Sequence, residues 1–216
     1  MSELGVPDVA RMLKVSDRRV RQLIDAGELR ARQVGGRWLV DVSSIPSAPR
    51  RSRAMSPRVA WGLIEYVEGR RAPWLSPGDF YRLRSFRDRL ATDPEPELLA
   101  KSWLSARATR EELSATVPDD LRVDPRVVLS GLSDPRSKMS AADHVEVYVH
   151  VDHYQHLLSD YLLVPARGRR ANVTLHVTEF RPAAPVPVLL LAADLADHDA
   201  PRELGRARDL IVGALR

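Results

Sequence analysis

Cysteine is absent from the 216 residues. That excludes a disulfide framework, a thiolate zinc site and a cysteine nucleophile. Long apolar runs are missing too. No stretch approaches the roughly 20 residues that span a bilayer, and the N-terminus lacks the apolar segment of a secretory signal. The expected location is therefore the cytoplasm, without membrane contact. Common enzyme motifs are equally scarce. Gly168 stands alone between arginines rather than in a phosphate-binding loop, and Ser130-Gly131 lacks the partner glycine of a Gly-x-Ser-x-Gly elbow. Asp119-Asp120 and Asp194 lack the sequence neighbours that nuclease chemistry would require. No residue qualifies as catalytic, and no cofactor is implied.

What is present is an apolar fraction of 44%, enough for a real core, in a length that fits two domains. The net charge of +4 is unevenly held. Residues 1–54 carry 11 Lys/Arg against 6 Asp/Glu, a net of +5, and the remainder carries 22 against 23, a net of −1. A basic N-terminal part on a near-neutral body is the distribution expected if only that part touches nucleic acid.

Local signals in the basic part are dense. Val9, Met12 and Leu13 recur at helical spacing behind Pro7 and Asp8, which suit a first helical turn. Lys14-Val15 form a turn. Ser16 can N-cap a second helix, Asp17 to Ala26, which Gly27 stops as a left-handed residue. Val20, Leu23 and Ile24 share the face that would pack on the first helix. Arg18, Arg21, Gln22 and Asp25 are left on the other face, with Arg19 near the N-terminal end. A second helix with arginines at its start is what insertion into the major groove requires. Leu29–Arg32 and Arg37–Val40 can pair as a hairpin across Gln33-Val34-Gly35-Gly36, with Trp38 closing the small core. Arg30, Arg32 and Arg37 then remain available to phosphates or the minor groove.

The pattern VPDVARMLKVSDRRVRQLIDAGEL…VGGRWLV resembles the excisionase/MerR-type winged helix-turn-helix family. Gly5 departs from that pattern, standing where the family often has Ser or Thr. The resemblance implies double-stranded DNA as partner. Contacts are expected from Lys14, Ser16, Arg18, Arg19, Arg21, Gln22, Arg30, Arg32 and Arg37.

Ser43 to Arg58 is rich in Ser, Pro and Arg and lacks periodicity, so it reads as a linker. Its Arg50, Arg51 and Arg53 form a candidate arm along the DNA backbone, against the plainer alternative of a soluble tether. Helices are expected from Ser56 to about Glu68, from Ser76 through Leu90, and over Leu98–Ala106. A short helical turn is expected at Arg110–Ala115. Strands follow at Val127–Leu129, Val145–Val149 and Val173–Val177, with a helix over Tyr154–Leu163. Val186–Ala196 fits a strand or a helix, and Arg202–Leu215 a closing helix. The fold class is thus α+β: a winged helix-turn-helix at 1–42, a linker at 43–58, and a mixed α/β domain at 59–216 whose first part is helical.

His144, His150, His153 and His156 invite a metal reading, with a metal-dependent nuclease as its consequence. Their spacing lacks any His-Glu-x-x-His pattern, and the plainer reading is surface or capping histidines, with no metal site. Roughly residues 125–212 carry the segments DPRVVLSG, DHVEVYVHVDHYQHLLSDYLLVPA, ANVTLHV and VPVLLLAADLADHDAPRELGRARDLI. In that order they resemble the C-terminal part of AbiEi-type antitoxins. Such proteins repress their own operon and counter a nucleotidyltransferase toxin encoded alongside. The resemblance implies a non-enzymatic, DNA-binding autorepressor and antitoxin with such a toxin as partner. The alternative is an excisionase-like or MerR-like regulator without one. A homodimer is expected, because one small recognition helix makes too little contact by itself.

Overall fold

A computed structural model describes residues 3–13, 15–44, 52–139, 143–166 and 171–216. The chain divides into two compact units, Met1–Arg51 and Ser52–Arg216, and the fold is α+β.

The first unit runs β1 (Glu3–Gly5), α1 (Val6–Leu13), α2 (Asp17–Asp25), β2 (Ala31–Val34) and β3 (Arg37–Asp41). Its core joins Val6, Val9 and Leu13 of α1 to Val20 of α2 and to Leu29 and Val40. Those positions follow the helical period on α1, so burying them fixes the angle at which α2 crosses. The hairpin turn is shorter than expected. Val34 already pairs with Arg37, and only Gly35 and Gly36 lie between, at φ of +55° and +77°. Two successive positive φ values define the tight turn whose twist matches its strands, and glycine takes them without a Cβ clash. The sheet also has a third strand that sequence reasoning missed. β1 lies antiparallel to β3, with Glu3 opposite Asp41 and Gly5 opposite Leu39.

Of the linker expected at 43–58, the described residues at both ends pack into the two units. Val42–Ser44 form a 3-10 turn, and the Ser44 hydroxyl donates to the Asp41 carbonyl at 2.7 Å and accepts the Arg30 N–H at 2.9 Å. On the other side, the Ser52 N–H donates to the Ser102 hydroxyl at 3.2 Å. Met55 is buried, and its N–H donates to the Trp103 carbonyl at 2.9 Å. Satisfied backbone groups and a buried side chain tie residues 52–58 to the second unit.

That unit contains α3 (Pro57–Val67), α4 (Pro77–Thr92), α5 (Pro96–Trp103), β4 (Thr109–Ser114), β5 (Val127–Leu129) and β6 (Val145–His150). It continues with α6 (Val151–Asp160), β7 (Val164–Pro165), β8 (Val173–Thr178), α7 (Val188–Asp197) and α8 (Pro201–Leu215). The strands form one mixed sheet in the order β5-β6-β8-β4-β7, in which β6 and β8 are parallel and the other neighbours antiparallel. The ambiguous stretch before Ala196 is helical. The turn of helix expected at Arg110–Ala115 is instead strand β4. Its Arg, Glu and Leu residues favour helix, but five rungs to β8 and two to β7 override that preference. α6 begins three residues earlier than expected because the His150 side chain caps it, accepting the Asp152 N–H at 3.3 Å.

Side chains alternate across the sheet. One face carries Val145, Val147, Val149, Val173 and Leu175, which pack with Leu157 of α6 and with Leu121. The other carries Glu146, Tyr148, Thr174 and His176, joined across the register by Arg110 and Glu112. This polar face lies beneath a helical layer centred on Trp61, Trp103 and the leucines of α7. Trp61 stacks on Phe180 at 5.2 Å and meets Tyr148 edge-on at 6.2 Å. Among the described residues, no helix is long and apolar enough to cross a membrane.

Candidate nucleic-acid interface

α2 is set by its ends. The Ser16 hydroxyl accepts the Arg19 N–H at 3.3 Å, filling the N-cap position, and Gly27 follows the Ala26 cap at φ +72°. With Val20 turned into the core, Arg18, Arg19, Arg21 and Gln22 are all exposed. Arg18, Arg19 and Arg21 make no ion pair among the described residues, so their guanidinium donors face solvent. Lys14, Arg50 and Arg51 lie outside the described residues. Arg53 is exposed but belongs to the second unit.

The three wing arginines differ. Arg30 stands 3.7 Å from the Asp41 carboxylate. Arg32 is exposed on β2, opposite Leu39. Arg37 opens β3 directly after the turn and makes no ion pair among the described residues. A cavity of about 470 Å³ runs between the start of α1, α2 and the wing, and Arg21 and Arg37 both line it, together with Asp8, Asp17 and Trp38. Asp8 is paired to Arg11 on its own helix. The fold therefore brings one arginine of α2 and one of the wing to a shared cleft, while Arg30 and Arg32 do not line it. Trp38 is only half-buried, closing one wall of this cleft as well as the core.

In the second unit the four histidines singled out in sequence do not converge. His144 Nε2 bonds the Thr174 hydroxyl at 2.9 Å at the start of β6. His150, at the other end, bonds the Glu179 carbonyl at 3.0 Å, with the His153 ring 6.5 Å from its own. His156 is exposed on α6. Among the described residues, no group of three or more His, Asp or Glu is arranged to hold a metal ion.

Two residues that sequence reasoning passed over, His176 and His198, flank Glu146 at 2.9 Å each. The second Glu146 oxygen also accepts the Leu132 N–H at 3.0 Å. Burial would raise the Glu146 pKa, but the hydrogen bonds from His176 and His198 outweigh it and hold the carboxyl well below the usual range. Burial likewise pushes His198 down, and its bond to Glu146 more than restores it, so its pKa is raised. Burial alone dominates at His144, whose pKa is lowered.

Asp194, which looked partnerless in sequence, has three partners. Arg107 Nε donates to it at 3.0 Å and the Tyr148 hydroxyl at 2.8 Å, and Ser130 donates as well. Arg107 also pairs with Asp197 and donates to the Tyr148 oxygen at 2.9 Å. Burial and the neighbouring Asp194 carboxylate push the Tyr148 hydroxyl far up, keeping it protonated as a donor. Alternating polar residues in VEVYVH and VTLHVT were the available signal for this polar face. Only strand register puts them side by side.

A family of helix-turn-helix domains matches residues 3–45, the stretch that forms α1, α2 and the wing. No curated protein and no solved structure matches the chain. The N-terminal unit thus carries a DNA-binding helix-turn-helix.

Proposed function

We propose that the chain is a sequence-specific DNA-binding regulator that represses transcription as a homodimer. The observation that carries this reading is the exposed set Arg18, Arg19, Arg21 and Gln22 on α2, with Arg37 of the wing on the same cleft as Arg21. In this reading α2 enters the major groove. Arg18, Arg19, Arg21 and Gln22 meet base edges, Ser16 sits at the helix start by the backbone, and Lys14, Arg30, Arg32 and Arg37 hold phosphates. Arg50, Arg51 and Arg53 make the further backbone contacts, the last of them carried by the second unit. Two copies on half-sites about one helical turn apart supply the contact that one module lacks. If each module neutralises about five or six phosphates, log affinity falls with log salt at a slope near −5 per module. A slope near zero overturns the reading.

The finer proposal is that this regulator is the antitoxin of a cytoplasmic toxin–antitoxin pair and neutralises a nucleotidyltransferase-type toxin without itself being an enzyme. Its support is the resemblance of residues 125–212 to AbiEi-type antitoxins. The test expresses the neighbouring gene with and without the full chain. Growth arrest that both the wild type and an Arg18→Ala/Arg21→Ala variant relieve, with repression lost only in the variant, supports a separate neutralising unit. A harmless neighbour leaves an excisionase-like or MerR-like regulator with no toxin partner.

A further inference from the structure

α4 turns an unusual set of side chains outward. Leu83 and Leu90 face the core, while Tyr81 is 82% exposed and Arg82, Arg84 and Arg89 are exposed around it. The helix carries four arginines against two aspartates. Neither carboxylate neutralises the outward three. Asp79 accepts from Ser76 at 2.8 Å and pairs with Arg58 at 3.3 Å, although it also feels the charge of Arg82. Asp88 lies 3.6 Å from Arg87. The guanidinium of Arg82 sits over the Phe86 ring at 5.7 Å, and that of Arg89 over Trp103 at 5.3 Å. Arg84 makes no ion pair among the described residues. A guanidinium over a ring face is held near it by cation–π attraction, which uses none of its N–H donors.

We propose that this face of α4 is a second nucleic-acid contact, gripping phosphates of double-stranded DNA outside the sequence that α2 reads. The proposal rests on the DNA-binding reading of the N-terminal unit. Although the second unit is near neutral overall, charge on this face favours a polyanion, since Arg82, Arg84 and Arg89 make no ion pair among the described residues. A protein partner would need an apolar anchor, and the neighbouring aromatics, though 47% exposed at Phe80 and 36% at Trp74, each lay one side on another ring. Phe80 meets Tyr66 edge-on at 5.3 Å, and Trp74 packs on Phe180 at 5.3 Å and donates to the Arg58 carbonyl at 3.1 Å. The hydrogen-bond donors that protrude are one phenol hydroxyl and three guanidinium groups, all suited to phosphate.

The test uses the full chain and the duplex it selects from a random pool, prepared as the bare site and with about 15 added base pairs on each side. Each phosphate engaged steepens the slope of log affinity against log salt by about 0.9. The wild type is expected to show a slope steeper by about 2–3 per protomer on the flanked duplex. Arg82→Ala/Arg84→Ala, two exposed changes whose fold is checked by thermal melting, should shrink that difference by about 2 per protomer and leave the bare-site slope unchanged. Equal wild-type slopes on the two duplexes overturn the proposal, as does a difference that survives in the variant. Arg18→Ala/Arg21→Ala separates the two readings. If it leaves sequence preference intact, the assignment of α2 fails. If it abolishes preference while the flank-dependent slope persists, both readings stand.

Discussion

Replacing Asp194 with alanine is the sharpest probe of the polar layer between sheet and helices. Arg107 is 3% exposed and Asp194 is fully buried, so the pair has no water to fall back on. Deleting one partner of such a pair costs about 3–5 kcal/mol, because the remaining charge stays buried. Asp197 still pairs with Arg107 and holds the loss toward the lower end. The hydroxyls of Tyr148 and Ser130 also lose their acceptor, which adds to the loss without summing independently. Against a typical domain stability of roughly 5–15 kcal/mol, Asp194→Ala leaves the second unit marginal. Urea unfolding in a Trp38→Phe background reads this directly. The remaining tryptophans, Trp61, Trp74 and Trp103, all lie in the second unit. The partner experiment is Arg107→Met/Asp194→Leu, which removes both charges at similar volume and should recover much of the loss. A single substitution costing under about 1 kcal/mol, or a double costing more than the single, would refute the reasoning.

Other perturbations address neighbouring features. The raised pKa of His198 means that its charged pair with Glu146 stabilises fully below the ordinary histidine value of about 6.5 and fades as pH rises through the folded value. His144, lowered by burial, acts in the opposite sense and loses stability as pH falls. Urea midpoints should therefore separate wild type from His198→Gln most at pH 6 and least at pH 8.5, and a gap that widens with pH contradicts the assignment. Gly131→Ala would place a Cβ on the Glu146 carboxylate, at a residue already at φ +49°, so thermal melting should show a loss of at least about 2 kcal/mol. Arg18→Ala should weaken binding to the selected duplex by about 1–3 kcal/mol and relax preference at one base position. Uniform weakening on every sequence moves Arg18 to the phosphates.

The helix-turn-helix was legible because its signals are local: a serine cap, a helical period of valines and leucines, and two glycines where a tight turn must close. β1 was invisible, since three residues carry no period and Glu3–Gly5 become a strand only by pairing with β3. β4 was misread for a related reason, its helix-favouring residues being held extended by neighbours drawn from elsewhere in the chain. The candidate DNA contacts were nameable from α2 alone, but the cleft shared by Arg21 and Arg37 needed the wing's actual register. Least legible was the polar layer. Arg107 and Asp194 are 87 positions apart, and nothing within a window of either residue announces the other.

That separation has a consequence for the order in which the molecule is made. Among its described residues the first unit closes on contacts spanning Glu3 to Asp41, so it can fold soon after its own residues leave the ribosome. The second unit must wait for α7 to reach Arg107 and Glu68, and for the Leu215 carbonyl to reach Arg87. At roughly 5–20 residues per second, synthesis of that unit takes about ten to thirty seconds. During that interval each nascent chain presents a finished DNA-reading head while its larger half is still assembling.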